Sequence, residues 1–136
     1  MAGWAMVQTS MWRDPAFREL STEARLLFVW SWTNEHAAIC GLYTASERQV
    51  RAAIGESANG RAGDVVALAL EELGRKPLLA YDFDAEVLWV VNRAAHANRS
   101  PKTAVAMRRE YERCPPSPLR DAFAARYGHA LNLGGT

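Results

Sequence analysis

The chain has 136 residues, 49% of them hydrophobic, with five Trp and 16 basic against 15 acidic side chains. That length fits one domain with an appendage and leaves little room for a deep active site built from many residues. No apolar run approaches the roughly 20 residues that cross a bilayer, and the start, MAGWAMVQTS, lacks the basic stretch ahead of an apolar one that marks a signal peptide. The charge is unevenly placed. Residues 1–91 hold 8 basic and 12 acidic side chains, a net of −4, and residues 92–136 hold 8 and 3, a net of +5. The expected organisation is an acidic body over 1–91 and a basic helical extension over 92–136, the extension pointing to a polyanion or an acidic partner. Cys40 and Cys114 lie far apart, which fits free thiols in a cytoplasmic protein better than a staple.

In chain order, residues 4–9 read as a short edge strand, and Asp14-Pro15 opens a helical turn that faces Phe17 and Leu20 inward. Ser21 is placed to cap the next helix, with Glu23 in its first turn. That helix carries a broad apolar set, Leu26, Leu27, Phe28, Val29, Trp30 and Trp32. One core-facing stripe needs only part of such a circumference, so the rest must be covered by the remainder of the domain or by a second copy of the chain. Gly41-Leu42-Tyr43 reads as a short strand. Ser46 caps a helix over about 47–54, which Gly55 ends. A third helix over about 62–73 sets Val66, Ala69, Leu70 and Leu73 on one stripe. Two strands, 78–81 and 86–91, flank the acidic turn Asp82-Phe83-Asp84-Ala85, and the alternation of Tyr81, Val87, Trp89 and Val91 reads as a half-buried hairpin.

Helix, short strand, helix, helix and hairpin, in that order, is a winged helix-turn-helix: an α+β fold, mostly α, with three helices and a β-hairpin wing. In the extension, Ser100-Pro101 starts a helix that runs to about Arg113, and Ser117-Pro118 starts another from Leu119 to Tyr127, capped by Gly128. At 100° per residue, Lys102, Arg109 and Arg113 fall within about 40° of one another, opposite Ala104, Met107 and Tyr111. One side can dock while the other presents cations.

Taken together, MWRDPAFRELSTEARLLFVWSWTNEHAAICGLYTASERQVRAAIG, VVALALEELGRKPLLAYDFDAEVLWVVN and SPLRDAFAARY, spread over roughly 10–128, resemble the N-terminal winged-helix domain of phage replisome-organiser and DnaD-like replication proteins. The resemblance implies a phage or prophage protein in a bacterial host that helps start DNA replication. It implies self-association, DNA binding or both, and replication partners such as a helicase or helicase loader. Members of that family often continue into a second domain, so the 136 residues are expected to be either a fragment or a form that works without it.

A helix-turn-helix reads DNA with its last helix in the major groove. Here that helix carries Asp64, Glu71 and Glu72 and offers no central Asn, Gln or Arg for base edges. The wing carries Asp82, Asp84 and Glu86, each costing about 1 kcal/mol at 4 Å from a phosphate even at the dielectric of water. The nucleic-acid contacts are therefore expected elsewhere, at Arg93, Arg99, Lys102, Arg108, Arg109 and Arg113, with Arg48 and Arg51 on the second helix and Arg61 before the third. Such binding is tolerant of sequence and steep in salt. Paired carboxylates within the extension (Glu110, Glu112) are the competing use of the same cations. Trp4, Trp12, Phe28, Trp30 and Trp32 are the expected surface for a homodimer or higher homo-oligomer, their plainer role being core. Asp82, Asp84 and Glu86 lack the remainder of a calcium loop, His36 and Cys40 are half a zinc pair without a second half, and His96 and His129 stand alone. No metal, cofactor or membrane partner is expected. No nucleophile set or phosphate-cradling loop is present, so an enzyme is not expected. The alternatives are a small phage module that docks on a host replication or transcription protein without touching DNA, and a winged-helix repressor.

Overall fold

The computed structural model describes residue 5 and residues 7–55, 64–97 and 100–133. It is mostly helical, with a small antiparallel sheet. The expected edge strand over 4–9 is replaced, within the described residues, by irregular chain and a 3-10 turn over Thr9–Arg13. Its sequence, TSMWR, packs one partly buried Met11 inward and has no strand to pair with. Helix α1, Pro15–Arg18, follows, its amide at Ala16 capped by the Asp14 carboxylate. Phe17 and Leu20 are buried, as their spacing requires.

Helix α2 spans Thr22–Thr33 and is capped by Ser21 Oγ at the Ala24 amide. Strand β1, Leu42–Thr44, begins after Gly41, whose φ of +84° and close approach to the Val90 carbonyl leave no space for a side chain: a Cβ there would stand 2.6 Å from that oxygen. Helix α3, Glu47–Ala52, starts with a full capping box between Ser46 and Gln49, and Gly55 at φ +105° ends the turn after it. Helix α4 spans Val65–Arg75 with Asp64 as its cap. Its first expected residues, 62 and 63, lie outside the described residues. Gly74 sits within the helix, and Lys76 closes it.

Strands β2, Leu79–Asp82, and β3, Val87–Val90, form the hairpin, and β1 pairs with the far edge of β3, giving the order β1-β3-β2. Leu42 stands opposite Trp89, and Tyr43 opposite Leu88. Alternation sends these two pairs to opposite faces of the sheet. On one face, the Tyr43 hydroxyl donates to the Ser31 carbonyl of α2 at 2.5 Å. On the other, Trp89 meets Phe123 at 6.3 Å between ring centres.

The extension supplies that second face. Helix α5, Pro101–Arg113, and helix α6, Pro118–Leu131, are capped by Ser100 and Ser117, and α6 packs on β2 and β3 while α5 packs on β1. The half-buried hairpin expected from alternation is therefore corrected: all four residues of β3 are buried. A strand covered on both faces needs apolar side chains on both, which is what the unbroken run Val87-Leu88-Trp89-Val90-Val91 provides. Helix α6 also runs past Gly128 to Leu131, and Asn132 at φ +58° closes it. Phe123, Tyr127 and Leu131, one turn apart, carry the apolar stripe through the expected stop. Among the described residues, no helix is long and apolar enough to cross a membrane.

Candidate nucleic-acid and partner interface

Helix α5 is amphipathic as its sequence dictates. Met107 is buried and Ala104 and Tyr111 are half-buried, while Lys102, Val105, Arg109, Glu112 and Arg113 are exposed. The helix is fixed in rotation by Glu110, whose two carboxylate oxygens accept the backbone amides of Ile39 and Cys40, each at 2.9 Å. With that carboxylate turned inward, Lys102, Arg109 and Arg113 form no side-chain hydrogen bond or ion pair among the described residues. At 1.5 Å per residue, they mark a line about 16 Å long on the outer surface.

The other expected contacts divide. Arg48 is exposed and unpaired among the described residues. Arg51 is not available: its guanidinium holds Glu47 at 2.8 Å and both oxygens of Asp64 at 3.0 and 2.7 Å. Those hydrogen bonds raise the Arg51 pKa and hold the Asp64 carboxyl below its usual range. Arg93 is also corrected. It lies half-buried, donates to the Trp32 carbonyl at 2.5 Å and stacks its guanidinium 4.9 Å from the centre of the Trp32 ring, and burial lowers its pKa. It braces α2 against the end of the sheet, with part of its guanidinium already engaged. Arg108 is half-buried and reaches the Leu131 carbonyl at 3.4 Å. Arg61 and Arg99 lie outside the described residues.

Helix α4 and the β2–β3 hairpin, the expected third helix and wing, use their acids internally. Asp64 caps α4 at the Val66 and Ala67 amides as well as holding Arg51. Glu72 accepts both the amide and the hydroxyl of Ser21, each at 2.7 Å, and ties α4 to the start of α2. Glu71 pairs with Arg75 one turn on. In the wing, Asp82 accepts the amides of Asp84 and Ala85 and the hydroxyl of Ser117. The Ser117 hydroxyl, with those amides, holds its carboxyl below the usual range. Glu86, at φ +54°, accepts the Glu47 amide and so caps α3. Two of the three wing carboxylates thus organise the turn and its neighbours.

The aromatic set also separates. Phe28 and Trp32 are buried, in a chain of ring contacts running Trp12–Phe17–Phe28–Trp32–His96 at 5.2 to 6.1 Å. They are core and present no surface to a second copy. Trp30 and Val29 are half-buried, Leu26 is 47% exposed, and Trp12 is 62% exposed. Trp4 lies outside the described residues. The outward face of α2 is therefore Leu26, Val29 and Trp30 with Thr22, Glu23 and Thr33, narrower and more polar than the sequence expectation.

Cys40 points into the core, its thiol against the Leu42 carbonyl and its pKa raised by burial. Cys114 is buried as well. Arg13, next to Trp12 in the chain, and Arg18 are also exposed and unpaired among the described residues, and Leu68 is 58% exposed on α4. The Trp12-Arg13 pair was the available signal for the first.

No family model, no curated protein and no solved structure matches this chain.

Proposed function

We propose that this chain is a winged-helix module of the replisome-organiser type that associates with itself and joins a replication initiation complex on DNA. The element order α2, β1, α3, α4 and hairpin, with β1 on the outer side of β3, supports the winged-helix reading. The observation that carries DNA association is the single line of unpaired cations, Lys102, Arg109 and Arg113, on the outer face of α5. Phosphates meet such a line without base readout. Among the described residues, helix α4 offers a groove only Ala67, Leu68, Glu71 and Arg75 as exposed side chains besides Gly74, a set with no bidentate amide, which disfavours a site-specific repressor.

Binding of random duplex DNA at several salt concentrations tests this. The parent chain is expected to lose affinity steeply with salt, and Lys102→Ala/Arg109→Ala/Arg113→Ala is expected to make the slope of log K against log salt shallower by about 2.7, or 0.9 per phosphate released. No duplex binding at low salt would reject the DNA reading. It would favour the second reading, a protein-docking module, which the exposed Leu26 and Leu68 support. Self-association is placed on the outward face of α2. Leu26→Glu is expected to leave the fold intact and to shift sedimentation toward monomer, and a parent chain that is monomeric at high concentration would reject it.

A further inference from the structure

Trp12 is the most exposed of the large apolar side chains among the described residues. Its ring is nonetheless held. It meets Phe17 edge-to-face at 5.2 Å and 89°, and Phe17 is itself buried. The Arg25 guanidinium lies 5.7 Å from the Phe17 ring centre and donates to the Arg18 carbonyl at 2.6 Å. The turn Thr9–Arg13 and helix α1 thus back an indole that would otherwise swing freely, which lowers the entropy lost when something stacks on it.

Two cations follow the ring in sequence, one and six positions on. Arg13 and Arg18 are exposed and form no side-chain hydrogen bond or ion pair among the described residues. The local acids are engaged: Asp14 caps the Ala16 amide, and Glu19 is held by Lys76. An exposed ring backed on one edge by Phe17, with Arg13 next to it in the chain and Arg18 next to Phe17, has the groups that single-stranded nucleic acid binds, bases stacking on a ring and phosphates meeting cations. A duplex cannot use the ring, because its bases are already stacked. A two-fold contact between copies through this patch would bring Arg13 and Arg18 of one copy against the same residues of the other.

We propose that Trp12, with Arg13 and Arg18, is a stacking platform for single-stranded DNA, separate from the cation line on α5. The assignment rests on the reading that the chain works on DNA, and it gives an initiation module a contact for an opened strand.

The test measures binding of the full chain to a fluorescent oligothymidylate of about 12 nucleotides, beside a random duplex. Trp12→Ala is expected to weaken oligothymidylate binding roughly 5- to 100-fold, the range for loss of one base-stacking ring, with duplex binding unchanged. Trp12→Phe is expected to restore most of the loss. Arg13→Ala/Arg18→Ala is expected to make the single-strand salt slope shallower by about 1.4, or 0.7 per phosphate. Unaltered circular dichroism of each variant confirms the fold. Oligothymidylate binding by Trp12→Ala as tight as the parent's overturns the proposal, and so does a Trp12→Ala chain whose only change is in sedimentation. A parent that binds duplex but not oligothymidylate overturns this platform and leaves the α5 reading standing. A parent that binds neither overturns both.

Discussion

Helices α4 and α5 are built alike and used differently. Both place an apolar stripe inward and charged residues outward, and both begin at a side-chain cap. In α4, Asp64, Glu71 and Glu72 each hold a partner, so the helix that a helix-turn-helix would send into a groove is tied to Arg51, Arg75 and Ser21. In α5 one carboxylate, Glu110, turns inward to two backbone amides and three cations stay outside without partners among the described residues. Net charge therefore does not identify a binding helix. The deciding quantity is the charge left after internal partners are subtracted.

The comparison can be broken or sharpened by substitution. The largest effect is expected where the extension meets the sheet. Phe123 is fully buried against the rings of Trp89, Tyr111 and Tyr127, so Phe123→Ala is expected to cost about 3–5 kcal/mol in chemical denaturation. A cost under about 1 kcal/mol would make α5 and α6 an appended arm instead of a layer of the core.

Next is the tie between α4 and α2. Glu72→Ala leaves the Ser21 amide and hydroxyl without their acceptor and is expected to destabilise by about 1.5–3 kcal/mol, as for hydrogen bonds to a charged group. The exposed Glu71→Ala is expected to change stability by less than about 0.5 kcal/mol. Equal effects would remove the distinction drawn between the two carboxylates.

A smaller effect follows from acid. The Asp64 carboxyl is held below its ordinary range by Arg51. Its contribution is present above the unfolded-state value near 4 and is lost as pH falls through the lower folded value. Arg51→Met is therefore expected to flatten the fall in stability below about pH 4. Because the pair is more than a third exposed on the Asp64 side, the difference at neutral pH is expected to stay below about 1 kcal/mol. Smallest of all, Lys102→Ala/Arg109→Ala/Arg113→Ala is expected to leave stability within about 0.5 kcal/mol of the parent, since nothing in the fold leans on those side chains. A larger loss would show the line to be structural.

Much of this was readable in the chain. Ser21, Ser46, Ser100 and Ser117 each stand before a helix and each caps it, because capping is a local matter of one side chain and the next few amides. The two sides of α5 were readable for the same reason: helical geometry fixes which residues share a face. Strand β3 was misread because alternation among four chosen residues concealed a run apolar throughout, and only the packing of α6 shows why both faces must be so. Arg93 and the Asp64 pairing of Arg51 have no local signature, because those partners stand 61 and 13 residues away, whereas the Glu47 partner of Arg51 lies one turn back on the same helix.

The sequence by itself determined most of the helices, their N-caps, the order of the elements and which residues share a face of α5, all of which follow from interactions within a turn or two of chain. Tertiary structure alone decided that the extension is a layer on the sheet, that Phe28 and Trp32 are core while Trp12 faces outward, and which arginines are paired within the fold. Those outcomes depend on side chains that meet only after the sheet has formed. Burial and pairing across such distances are settled by the shape of the whole and have no signature in local spacing.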